Sequence, residues 1–100
     1  MMGLLKTVEV DQVEIVGPYR VVQVRQATCI VDDGKEISRS FHRKTLYPGD
    51  INPISGNYED TDFSEEEELV SLVCGAVWTP AIKEDYKNHL FNLRKAHVSL

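Results

Sequence analysis

The Asp33-Gly34 pair constrains this chain more than any other feature. It lies between two runs rich in strand-forming residues, Arg20–Val31 and Glu36–Tyr47. A two-residue type I′ turn needs positive φ at both central positions, and Asp-Gly meets that need at low steric cost. The two runs therefore read as one antiparallel hairpin. Upstream, Val13 and Ile15 alternate within Gln12–Val16, and Gly17-Pro18 supplies a turn. Downstream, Pro48-Gly49-Asp50 ends the last run. A three-stranded antiparallel meander over 12–50 follows. Residues 1–11 form an N-terminal arm, in which Val8 and Val10 extend the first strand before a bulge.

A tight turn also fixes which side chains share a face. With two turn residues, Asp32 opposes Lys35, Ile30 opposes Ile37 and Thr28 opposes Arg39. One face then carries Val22, Val24, Thr28, Ile30, Ile37 and Phe41, and is assigned to the core. The other carries Arg25, Ala27, Cys29, Ser38, Ser40 and His42. This register leaves Arg39 and Arg43 near the edge of the core face, an uncomfortable place for charge. A bulge near Asp33-Gly34 would shift the pairing.

Residues 51–63 read as an acidic loop, since Ile51–Asp62 holds Pro53, Gly56 and Asn57 and no usable periodicity. A structureless connection of that length is unusual in a compact domain and suggests mobility or binding. Residues 64–100 read as two helices. Ser64 and Glu67 form a capping box, and Glu65–Glu68 place negative charge at the positive end of the helix dipole. Leu69, Leu72, Val73 and Ala76 stripe the first helix. Trp78-Thr79-Pro80 breaks it and starts a second, with Thr79 as N-cap, Pro80 at the first helical position, and a stripe of Ile82, Tyr86, Leu90 and Leu93 running to about Lys95. The expected fold is α+β: one domain, a three-stranded antiparallel β-meander followed by two α-helices packed on one face.

Charge is polarised along the chain. The net charge is −5, yet Arg20–Lys44 holds six Lys or Arg against three Asp or Glu, and Asp50–Glu68 holds eight Asp or Glu with no cation. The first block includes a basic strip, Arg39, His42, Arg43 and Lys44 with Arg20 and Arg25, that phosphates would meet, with Tyr47 or Phe41 available to stack a base. The acidic block that follows argues against nucleic acid as the partner. No apolar run has membrane-spanning length, the N-terminus is too short for a signal peptide, and Cys29 and Cys74 read as buried free thiols in a chain made in the cytoplasm.

Catalytic chemistry finds no foothold. Ser40 and His42 share a strand face, but their Cβ atoms stand about 7 Å apart, with no acid to orient the imidazole. Asp60, Asp62 and Glu65 lack the glycine and terminal glutamate of a calcium loop. His42, His89 and His97 are too scattered to chelate, and no glycine-rich loop cradles a phosphate. No catalytic, metal or cofactor residue is assigned. The residues favoured for protein contact are Ala27, Ser38 and Ser40, whose small side chains let a partner approach closely, together with Arg39, His42, Arg43 and Tyr58 of the connector.

The stretch Asp33-Gly34-Lys35-Glu36-Ile37-Ser38-Arg39-Ser40-Phe41-His42-Arg43, with Pro48-Gly49-Asp50 and the later Ala76-Val77-Trp78-Thr79-Pro80, resembles a family of small tailed-bacteriophage proteins encoded near tail or tail-fibre genes. The similarity spans roughly Gln12 to Tyr86, and the Ile51–Asp62 connector is longer and more acidic than the family pattern. The resemblance implies a phage origin and a non-enzymatic place in the virion, working by contacts with other virion proteins or further copies of itself. The alternative is a small phage regulatory or assembly protein that binds a host protein or nucleic acid in the cytoplasm.

Overall fold

The structure, a computed structural model, describes residues 3–98, with side chains described as far as Arg94. The first two residues of the expected arm and the imidazole of His97 lie outside the described residues. Three long strands, β1 (Leu4–Val16), β2 (Val21–Asp32) and β3 (Lys35–Leu46), form one antiparallel sheet in the order β1-β2-β3. The turn between β2 and β3 is Asp33-Gly34, with φ of 52° and 79°, the two positive values a type I′ hairpin requires. The arm is a true strand extension: β1 runs unbroken from Leu4 except for one extra residue, Asp11, between the rungs Val10↔Gln26 and Gln12↔Arg25.

A second bulge, absent from the expected register, changes the sheet. Asp32 does oppose Lys35 and Val31 opposes Glu36, but the next rung pairs Ile30 with Ser38. Ile37 is the inserted residue. From there to Leu46 every β3 side chain lies on the face opposite to the one expected, as a one-residue slip dictates. Thr28 meets Ser40 rather than Arg39, and Ala27 meets Phe41. Phe41 therefore leaves the core and is 50% exposed. Arg39 and Arg43 move off the core-bearing face, which removes the discomfort of the unbulged register.

The region 51–63 is not a plain loop. β4 (Gly49–Ile51) and β5 (Tyr58–Asp60) make a second, two-stranded antiparallel sheet. Asn52 holds its turn, its side-chain oxygen accepting the amides of Ile54 at 2.8 Å and Ser55 at 3.1 Å. A Cβ on Gly49 would fall 2.6 Å from the Glu59 carbonyl oxygen and collide with the Tyr58 phenol, so only glycine lets these strands approach. The Tyr58 hydroxyl is buried and has no hydrogen-bond partner among the described residues.

The first helix starts later than expected, as α1 (Glu68–Val77). Ser64 does not cap it. Its amide is taken by the Asp62 carboxylate at 2.9 Å, and Glu67 at the N-cap makes no side-chain cap bond. The Ser71 hydroxyl donates instead to the Phe63 carbonyl at 2.8 Å, tying the helix to the segment before it. The buried stripe is Val70 and Cys74, while Leu69 and Leu72 face outward at 49% and 64% exposure. α2 (Pro80–Val98) begins as expected, with Thr79 Oγ1 accepting the Ile82 amide at 3.3 Å. Tyr86 is buried on it, and Leu93, expected on its apolar stripe, is exposed.

The core is Val22, Val24, Val70, Cys74 and Trp78, flanked by Val10, Val13, Leu46, Phe63 and Ile82. Full burial of a valine contributes about 1.5–3 kcal/mol. Trp78 fills the end of this core. Its indole N–H donates to the Arg20 carbonyl at 2.6 Å, and its ring meets Phe63 edge-on at 5.7 Å. α1, with Trp78 and Ile82, thus covers one face of the large sheet, and only its half nearest Arg20, while α2 packs on β4. The rest projects: the molecule measures 64 × 29 × 23 Å with a radius of gyration of 18.4 Å, against about 13 Å for a compact chain of this length. Replacing Trp78 by Phe removes the bond to Arg20 and part of the packing. Urea denaturation of Trp78→Phe should show a loss of about 2 kcal/mol with an unchanged fold.

Candidate functional site

The bulge at Ile37 divides the residues favoured for contact. Ala27, Arg39 and Arg43 stay together on the face away from the helices, because Arg39 opposes Cys29 and Arg43 opposes Arg25. Ser38, Ser40 and His42 lie on the other face, opposite Ile30, Thr28 and Gln26. The continuous small-residue face expected from the unbulged register does not exist. Ala27 and Cys29 are also buried, at 0% and 5% exposure. They lie on the central strand between taller neighbours, Phe41 and Glu9 beside Ala27, Arg39 and Thr7 beside Cys29.

Those neighbours form an ordered charged surface. The Arg25 guanidinium donates two bonds to the Asp11 carboxylate, at 2.9 and 2.8 Å, and stacks over the Phe41 ring at 4.4 Å from its centre. The bulge at Asp11 makes this possible, by placing an extra side chain beside the Gln12↔Arg25 rung. Arg39 makes the same two-bond contact with Glu36, at 3.3 and 2.8 Å. Hydrogen bonds from Arg25 and Arg39 hold the Asp11 and Glu36 carboxyls below their usual values, and the guanidiniums rise in turn. Arg43 has no ion pair among the described residues and borders a hollow of about 130 Å³ with Gln12, Glu14, Gln23 and Thr45. Two arginines of the basic strip are therefore neutralised within the sheet. Lys44 joins them, bridging to Glu66 at 2.5 Å.

The projecting half of the sheet carries the exposed apolar side chains. Leu4, Leu5, Val8 and Ile37 are 54–65% exposed. By pairing, Leu4 and Val8 share the face of Thr28 and Ile30, whereas Leu5 shares the face of Val31 and Phe41. Among the described residues no further strand pairs with either edge of the sheet, β1 or β3.

A third feature, at the opposite end of the sheet, escaped the sequence reading. Tyr19, Tyr47, Tyr86 and His89 gather from the β1–β2 turn, the end of β3 and one face of α2. Tyr19 stacks on His89 at 4.7 Å and tilts against Tyr86 at 5.6 Å, and Tyr47 lies nearly parallel to Tyr86 at 6.4 Å and 14°. Only the Tyr86–His89 spacing of three was visible in the sequence. Tyr58, the one favoured contact residue in the connector, turns inward against Gly49. Burial, then the Asp60 charge, pushes its phenol up to about 12.

Among the described residues no group of three or more His, Cys, Asp or Glu is arranged to hold a metal. Burial pushes the Cys74 thiol up to about 11, the wrong direction for a nucleophile at neutral pH.

These ionisations fix how stability responds to pH. The Asp11 and Glu36 carboxyls titrate lower when folded than the unfolded values of 3.8 and 4.5. Their contribution is present above those values and fades as pH falls through the lower folded ones. Denaturation curves collected from about pH 5 down to about pH 2 should therefore show a shallower acid decline in Asp11→Asn than in the parent. Tyr58 behaves oppositely. The unfolded phenol ionises first, from its ordinary 10.0, so stability should decline toward the folded value of about 12. Tyr58→Phe should flatten that alkaline decline and leave stability at neutral pH equal or higher, because it removes a hydroxyl that burial leaves unpaired.

No protein-family model, curated protein or solved structure matches the chain.

Proposed function

We propose that this chain is a non-enzymatic structural or accessory subunit of a tailed-bacteriophage particle, associated with the tail or tail fibre, that docks its projecting sheet onto other virion proteins. The observation that carries the reading is the uncovered half of the sheet. A protein that folds only to enclose its own core has no use for three strands running far past the helices, with Leu4, Leu5, Val8 and Ile37 in solvent. Exposed apolar side chains in this density mark contact surfaces. The Asp33-Gly34 to Asp50 segment and the Trp78-Thr79-Pro80 break, which resemble tailed-phage proteins, supply the virion setting.

The internal pairing of Arg25, Arg39 and Lys44 with Asp11, Glu36 and Glu66 favours a protein partner over a nucleic acid. Phosphate binding draws on cations whose neutralisation is still available.

Quantitative mass spectrometry of density-purified particles tests the reading. The protein should be present at a reproducible, symmetry-compatible copy number. Val8→Glu, which adds charge to an exposed position of the extension and leaves the core intact, should remain folded yet fall at least tenfold in particle occupancy. Recovery only from the lysate of infected cells would instead favour a regulator or assembly factor.

A further inference from the structure

The groove between the end of β3 and α2 is lined by two aromatic rings and one fixed carboxylate. It is an open hollow of about 420 Å³ bordered by Thr45, Tyr47, Asp50, Thr61 and Tyr86. Among the described residues, Asp50 is the one acidic or basic side chain that borders it. That carboxylate is held in place by the Ile51 amide, which donates to its Oδ1 at 2.8 Å. Among the described residues it has no ion-pair partner, while the neighbouring Lys83 and Lys44 are taken by Asp60 and Glu66. Tyr47 is 49% exposed, and its ring is nearly parallel to that of Tyr86. Burial and then the Asp50 charge raise the Tyr86 phenol.

Two aromatic rings and a carboxylate bordering one space make it attractive to a cation. The same chain shows which cation suits this combination. On the far side of the large sheet, Arg25 lies over the Phe41 ring and grips Asp11 with two parallel hydrogen bonds. The groove repeats the ring and the carboxylate and lacks the guanidinium. A planar guanidinium can lie on an aromatic face while its fork meets a carboxylate; a compact, strongly hydrated ammonium does both less well. The Thr61 hydroxyl, which spends its proton on the Tyr47 carbonyl at 2.6 Å, keeps lone pairs to accept a further N–H.

We infer that this groove receives the guanidinium of an arginine carried by another protein, lying on the tyrosine rings with its fork toward Asp50. The site lies at the end of the sheet opposite the Asp33-Gly34 turn, so it stands or falls independently of docking through the projecting half.

The test is NMR titration of the full-length chain with ethylguanidinium, n-propylammonium and N-acetylarginine methylamide. Ethylguanidinium should give saturable shifts confined to Thr45, Tyr47, Asp50, Thr61 and Tyr86, with a millimolar dissociation constant. N-acetylarginine methylamide should bind equally well, and n-propylammonium at least fivefold more weakly. Asp50→Asn keeps an acceptor for the Ile51 amide, and Tyr47→Leu changes a half-exposed ring, so both should stay folded. Each should weaken ethylguanidinium binding at least fivefold. Absent or scattered shifts, equal binding of the ammonium, or unaltered binding by Asp50→Asn would overturn the site. Binding of ethylguanidinium but not of N-acetylarginine methylamide would overturn its assignment to a protein-borne arginine.

Discussion

The packing of Val22 and Val24 against Val70, Cys74 and Trp78 is the contact on which everything else in this chain rests. It joins the central strand to α1. Through the indole bond to the Arg20 carbonyl it also fixes the β1–β2 turn against the start of α2. A chain of one hundred residues has little apolar surface to spend, and this one concentrates it at one end of the sheet. The smaller β4–β5 sheet and α2 then complete the same body, held by the close approach of Gly49 and Tyr58 and by the Lys83–Asp60 bridge. The uncovered half of the large sheet follows from that concentration rather than from any local irregularity.

Local chemistry that acts within a few residues is legible in the sequence alone. Asp33-Gly34 dictates its turn, Thr79-Pro80 dictates the start of α2, and the valines of β1 and β2 dictate strands. What could not be read was chemistry decided across strands. Ile37 is a β-branched residue in a strand and carries no mark of a bulge, yet its insertion moves Arg39, Phe41 and Arg43 to one face and Ser38, Ser40 and His42 to the other. Ser64 and Glu67 have the right spacing for a capping box, but Asp62 claims the Ser64 amide first. The three-residue strands β4 and β5 are too short, and too rich in turn-forming neighbours, to show a period. The tyrosine groove was invisible because its two rings come from separate elements, the end of β3 and α2.

The charge blocks of the sequence also change meaning once folded. A basic stretch followed by an acidic one suggests two opposed surfaces. In the fold the two blocks meet at Lys44–Glu66, and Arg25 and Arg39 find acids within their own sheet, Asp11 and Glu36. Exposed pairs of this kind contribute little to stability. Their effect is mainly to order long side chains above Ala27 and Cys29, turning a strip of mobile cations into a surface of fixed shape.

The projecting sheet has a mechanical consequence. Its ladder bonds run perpendicular to the strands, so a load applied along the strands is shared as shear by many rungs at once, while a sideways load is carried by few. Anchored at one end by the Trp78 core and free at the other, the sheet behaves as a cantilever, stiff in extension and compliant in bending. The bulges at Asp11 and Ile37, one in each edge strand and at different heights, are where its curvature concentrates.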